Sequence, residues 1–144
     1  MPLDSTTLDP LRALQKGLLS HLKAHDRFKI WLGDPVRVYD AVPTETLWPF
    51  VQIERAEAQP FGGLNTDATE QAVTLRVLSD FDGTEEARAI VSELRVALDQ
   101  AQITLDDQHL VSLRVTYLDV IRGAQKRTVY GLVRLRAVTE ADPN

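Results

Sequence analysis

His21 and His25 lie four residues apart in a leucine-rich run. Imidazoles at i and i+4 of a helix share one face, a spacing that can hold a metal ion. A zinc hydrolase using it carries Glu directly after the first His; here Leu22 follows, on the apolar side. The third ligand must then be His109 or a distant carboxylate, and a pair of partly exposed helix histidines is the commoner arrangement. Nucleophiles are equally short of support. Ser5, Ser20, Ser79, Ser92 and Ser112 all fall outside a Gly-x-Ser-x-Gly elbow, there is no Cys, and Gly62-Gly63 lacks the Lys of a phosphate-binding loop. Arg76, Arg114, Arg134 and Arg136 have the charge for phosphate, yet Tyr130 alone interleaves with them. A single-strand binder needs a series of stacking aromatics. Trp31 and Trp48 read as core or edge anchors.

The string Asp80-Phe81-Asp82-Gly83-Thr84 follows an apolar strand and resembles the first motif of the haloacid-dehalogenase-like phosphatases. The resemblance implies Asp80 attacking phosphorus, Asp82 handling protons, a bridging Mg²⁺ and Asp106-Asp107 as a later acidic pair. Only 60 residues follow Thr84, too few for a doubly wound sheet, and the only Lys among them, Lys126, comes after Asp107 instead of before it. The preceding strand also alternates and carries Arg76, whereas a parallel strand buried on both faces is near-continuously apolar. A strand end feeding a capped helix accounts for the same residues. A small Mg²⁺-dependent phosphatase remains the alternative reading.

The elements that would position these groups read as follows. Thr7–His25 is a helix with Asp9 as cap and Pro10 at its first position. Leu11, Leu14, Leu18 and Leu22 line one face, with Gly17 weakening the middle. Phe28, Ile30, Trp31 and Leu32 form a connector up to the break at Gly33-Asp34-Pro35. Val36–Tyr39 and Phe50–Ala56 are strands, and Pro60–Thr69 is a loop. Val73, Leu75 and Val77 alternate with polar neighbours on a third strand. Asp82 or Thr84 caps a second helix, whose stripe is Ala87, Ile90, Val91, Leu94, Ala97 and Leu98 and which ends near Gln100. Val111, Leu113, Val115 and Tyr117 share the dry face of a fourth strand. It forms an antiparallel hairpin with a fifth carrying Val129, Val133, Leu135 and Ala137. The fold class is therefore α+β: a mostly antiparallel four- to five-stranded sheet with two helices on one face, ordered α-β-β-β-α-β-β. The second face would carry Thr74, Arg76, Ser112, Arg114, Thr116, Tyr130, Arg134 and Arg136, either solvated or shared with a neighbouring subunit or partner.

With 144 residues, a 44% hydrophobic fraction and no linker, the chain reads as one domain, 1–144, with loose ends at 1–8 and 139–144. No Cys means no disulfide, zinc ribbon or thiol chemistry. No apolar run is long enough for a membrane helix, and no basic region precedes a secretory leader. A net charge of −5 opposes broad binding to nucleic acid.

The layout as a whole is distinctive. A Leu-rich N-terminal helix precedes Val36-Arg37-Val38-Tyr39-Asp40 and a Pro-containing loop. Pro49-Phe50-Val51-Gln52-Ile53 and Val73-Thr74-Leu75-Arg76-Val77-Leu78-Ser79 follow. A Gly-containing turn leads to Glu86-Ala87 and a helix ending Ala97-Leu98, and a last hairpin carries Leu113-Arg114 and Tyr130-Gly131-Leu132-Val133-Arg134-Leu135-Arg136. From Leu11 to Thr139 this resembles the tail-completion, or tail terminator, proteins of long-tailed phages and gene transfer agents. Phe50 stands where many relatives carry Tyr. The resemblance implies no catalysis and no cofactor. It implies a ring, usually hexameric, which is made in the cytoplasm and caps the tail tube at the head–tail junction. The ring ends tube polymerisation and presents a surface to the head-completion protein, while DNA passes the lumen without specific binding. The candidate contacts with subunits or partners are Phe61 and Leu64, in a loop suited to ordering on assembly, with Arg76, Arg114, Arg134 and Arg136.

Overall fold

Asp9 opens the first helix, α1 (Pro10–Lys23), by accepting the Arg12 N–H at 3.1 Å, with Pro10 at the first position. In the computed structural model, which describes residues 9–63, 67–124 and 128–142, Leu14, Leu18 and Leu22 of α1 are fully buried. A 3₁₀ turn (Asp26–Phe28) and a four-residue helix, α2 (Lys29–Leu32), make up the connector, where Phe28 and Leu32 are buried and Ile30 is exposed. The strands are β1 (Val38–Tyr39), β2 (Phe50–Pro60), β3 (Ala68–Ser79), β4 (Gln108–Arg122) and β5 (Val129–Ala141), with α3 (Glu85–Leu98) between β3 and β4.

The sheet order is β1-β2-β3-β5-β4. Its pairings are antiparallel except for the short parallel contact of β1 with β2. The anticipated hairpin of β4 and β5 is present. Both long helices pack on one face, where Ile90, Leu94 and Leu98 of α3 meet Leu75, Val133 and Leu135. At Gly131 the helix comes so close that a Cβ would sit 2.5 Å from Val91 Cγ2.

The structure corrects the sequence reading in several places. Among the described residues there are three α-helices rather than two, because the connector itself winds into α2. β2 and β3 run farther than expected, to Pro60 and from Ala68, since their backbones keep pairing beyond the apolar stretch. No capping box forms at α3. Ser79 Oγ instead accepts the Phe81 N–H and donates to Glu86, tying the strand end to the helix. The expected loose C-terminus is ordered strand through Ala141. Thr139 is buried there, and its hydroxyl accepts from Gln71 Nε2 at 3.0 Å. Residues 1–8, the expected loose N-terminus, lie outside the described residues.

Candidate functional site

The face of the sheet away from the helices can be read row by row. Register sets Phe50, Leu78, Tyr130 and Ile121 side by side at one end. Gln52, Arg76, Leu132 and Asp119 form the next row, then Arg55, Thr74, Arg134 and Tyr117, then Glu57, Ala72, Arg136 and Arg114. Strand twist curves these rows into an open trough of about 950 Å³ lined by Glu54, Glu57, Glu70, Arg76, Arg134 and Arg136 among others.

Three bulges among the described residues break the alternation, one in β2 at Glu54 and two in β4. A bulge inserts an unpaired residue and reverses the inward–outward alternation beyond it. One between Val115 and Tyr117 turns Tyr117, expected in the core, onto the open face opposite Arg134. Another, between Leu110 and Ser112, leaves Val111 exposed instead of buried.

Three of the four arginines that line the trough lie over an aromatic ring, and the fourth, Arg55, lies beside Glu57. Arg76 is 4.1 Å from the centroid of Tyr130, Arg134 is 4.7 Å from Tyr117 and Arg136 is 5.6 Å from Phe61. Such contacts are worth about 0.5–1 kcal/mol each at exposed sites. Carboxylates complete the pattern. Arg136 donates to Glu70, Arg76 lies 3.9 Å from Glu54, and the Tyr117 hydroxyl donates to Asp119 at 2.8 Å. The Arg136 hydrogen bond holds the Glu70 carboxyl below its usual range, and donation to Asp119 raises the Tyr117 phenol. Among the described residues, no carboxylate lies within ion-pair distance of Arg134.

The structure thus brings together Phe61, Arg76, Arg134 and Arg136. Arg114 is level with Arg136 in register but sits on the outer strand, 4.0 Å from Asp99, outside the trough. Leu64 lies outside the described residues. Sequence reasoning missed Tyr117, because a bulge leaves no mark in alternation. It also missed Glu70, which falls in the stretch between the anticipated loop and strand.

The other constellations are dispersed. His21 Nε2 donates to the Ala97 carbonyl and His25 Nε2 to Glu93, both at 2.8 Å, so both imidazoles tie α1 and its exit to α3. Asp80 and Asp82 are exposed just after β3. Asp106 and Asp107 precede β4, whose start lies at the opposite end of the antiparallel sheet. The length of β3 alone separates the two pairs, roughly 35–40 Å at the strand rise. Asp106 is engaged by Lys16, which lowers its pKa. β3 also has antiparallel neighbours on both sides rather than the parallel ones that the phosphatase motif requires. Among the described residues, no three His, Asp or Glu side chains converge in a way that could hold a metal ion.

The face is an open trough of charged and aromatic side chains. No curated protein matches. A chain from a solved structure titled "Virion of native gene transfer agent (GTA) particle" superposes with a TM-score of 0.82 at 23% identity, covering 90% of this chain and 96% of that one. That likeness shows the fold. The family model described as Tail completion protein gp17 matches residues 16–140. The chain belongs to that tail-completion family.

Proposed function

We propose that the chain is a non-enzymatic tail terminator. Copies of it close into a hexameric ring on the last ring of a tail tube, end the tube's polymerisation and offer a docking surface to the head-completion protein. The observation that carries this reading is the family match across residues 16–140. The superposition on a chain of a gene transfer agent virion supports it. The physics is compatible. Heterologous contacts close into a ring when the rotation per subunit divides the circle. A terminator also needs one face that accepts the tube and another that refuses further tube subunits.

The trough is the partner surface in this reading. Arginine and tyrosine are the side chains that most often dominate protein contacts, and here rings hold the guanidinium groups in place before binding. The trough mixes Arg76, Arg134 and Arg136 with Glu54, Glu57 and Glu70, a pattern suited to a protein surface of mixed charge. The overall charge of −5 keeps DNA in the lumen from adhering. Phe61, whose ring lies under Arg136, belongs to the same surface.

The test is tube growth with purified tail-tube protein, followed by electron microscopy. Wild type should cap tubes, and the Arg76→Glu, Arg134→Glu double variant should fold normally but fail to cap. A wild-type chain that neither assembles nor binds tube or head-completion protein refutes the proposal. Asp80→Asn should cap like wild type. If the wild type hydrolysed a generic phosphate ester and this variant did not, the phosphatase reading would return.

A further inference from the structure

The two edges of the sheet are built differently. Beyond Val51 and Gln52, which β1 covers, the outer edge of β2 carries Glu54, Arg55, Glu57 and Pro60, all exposed. Charge on such an edge restricts pairing to a strand of matching charge and register. The first half of β4 is also guarded. Asp99 accepts the Val115 N–H at 3.0 Å, and the Gln100 N–H donates to the Leu113 carbonyl at 2.9 Å.

The second half of β4 has no such cover. Among the described residues no strand pairs with the outer side of Thr116–Arg122. Its sequence, Thr-Tyr-Leu-Asp-Val-Ile-Arg, is rich in strand formers. Apolar side chains are exposed on both faces: Tyr117 and Ile121 on the open face, Leu118 on the helix face, at 41%, 43% and 39%. An unprotected apolar edge of this kind either finds a strand or aggregates.

The molecule itself carries a matching strand. In the order β1-β2-β3-β5-β4, successive antiparallel pairings leave β2 and β4 running in opposite directions. A second copy related by a rotation that preserves strand direction therefore brings its β2 antiparallel to this β4. We propose that Thr116–Asp119 pairs with Arg55–Ala58 of a second copy, Asp119 opposite Arg55, so that one sheet continues from subunit to subunit. In this register Leu118 lies over Ala56, whose small side chain leaves room on the helix face, and Tyr117 faces Glu57. Arg55, now 3.2 Å from Glu57 of its own strand, would sit between two carboxylates. Sliding the pairing by one two-residue step sets Asp119 against Glu57, a like-charge pair. Sliding it the other way, past the bulge at Glu54, sets Asp119 against Gln52, which β1 already covers. The two edges differ, so the contact is heterologous and propagates around a ring. This inference rests on the ring-forming reading above and names the surface that makes the ring.

The chain has no Cys, so introduced thiols report without background. Leu118→Cys and Ala56→Cys, mixed and oxidised, should give a disulfide-linked pair that neither variant gives alone. The double variant should give a ladder of multimers that collapses on reduction. Asp119→Arg should weaken assembly, and combining it with Arg55→Asp should restore it. Self-linking of Leu118→Cys alone would mean that β4 pairs with β4, which overturns the proposal. So would assembly by light scattering with no cross-link, and that result would leave the ring reading standing. A chain that stays monomeric across a concentration series and also on tail tubes removes both.

Discussion

Among the described residues Glu93 is the only buried carboxylate. It is held by Arg27 Nε and His25 Nε2, each at 2.8 Å. The Arg27 hydrogen bond first, then that of His25, lowers its pKa below the ordinary value of 4.5. A carboxyl with a depressed folded-state pKa contributes stability that is fully present above the unfolded value and lost as pH falls through the folded one. Glu93→Gln should therefore cost about 1–3 kcal/mol near neutral pH. Between about pH 5 and pH 3 its melting temperature should fall less steeply than that of wild type. Parallel melting curves for the two proteins across that range would refute the assignment. None of this was visible in the chain, where Glu93 interrupts an apolar stripe and His25 reads as a helix histidine. Arg27, 66 residues away from Glu93, gave no hint.

The elements themselves were largely legible. Asp9, Pro10 and the leucines located α1, the Ala87–Leu98 stripe located α3, and alternation located the cores of β3, β4 and β5. Gly17, a weak point by propensity, has a packing reason that only the fold supplies. A Cβ there would lie 2.4 Å from Leu105 Cδ2, on the segment leading to β4. The bulges were not legible, because an extra residue changes the parity of a strand without changing its composition. Thr116, the unpaired residue between Val115 and Tyr117, can be tested directly. Deleting it leaves Val115 and Tyr117 adjacent opposite Leu135 and Arg134, so Tyr117 and Asp119 should stay on the open face and Leu118 toward the helices. The stack of Tyr117 under Arg134 and a cooperative urea transition should both persist. Thr116→Ala keeps the extra residue and should stay within about 0.5 kcal/mol of wild type. Loss of the cooperative transition in the deletion, with Thr116→Ala intact, would show that Thr116 is not a surplus residue in the pairing.

For the whole molecule, the contrast is between a dry core and a charged trough. The core of α1, α3 and the inner sheet face is apolar, so raised salt should leave the melting temperature nearly unchanged. Docking through Arg76, Arg134 and Arg136 should weaken as ionic strength rises, since exposed charges are screened over about 8–10 Å at moderate salt. Capping efficiency against salt measures this, and a flat profile would remove the arginines from the contact. By itself the sequence determined the two long helices, the cores of the strands, the first helix cap and the layout of a tail-completion protein, because short-range periodicity and capping are written in neighbouring residues. Only the tertiary structure decided the sheet order, the rings beneath Arg76, Arg134 and Arg136, the carboxylates beside Arg76 and Arg136 and the unguarded half of β4. Those follow from pairings between residues far apart in sequence and from bulges that reverse a face, and neither leaves a local signal.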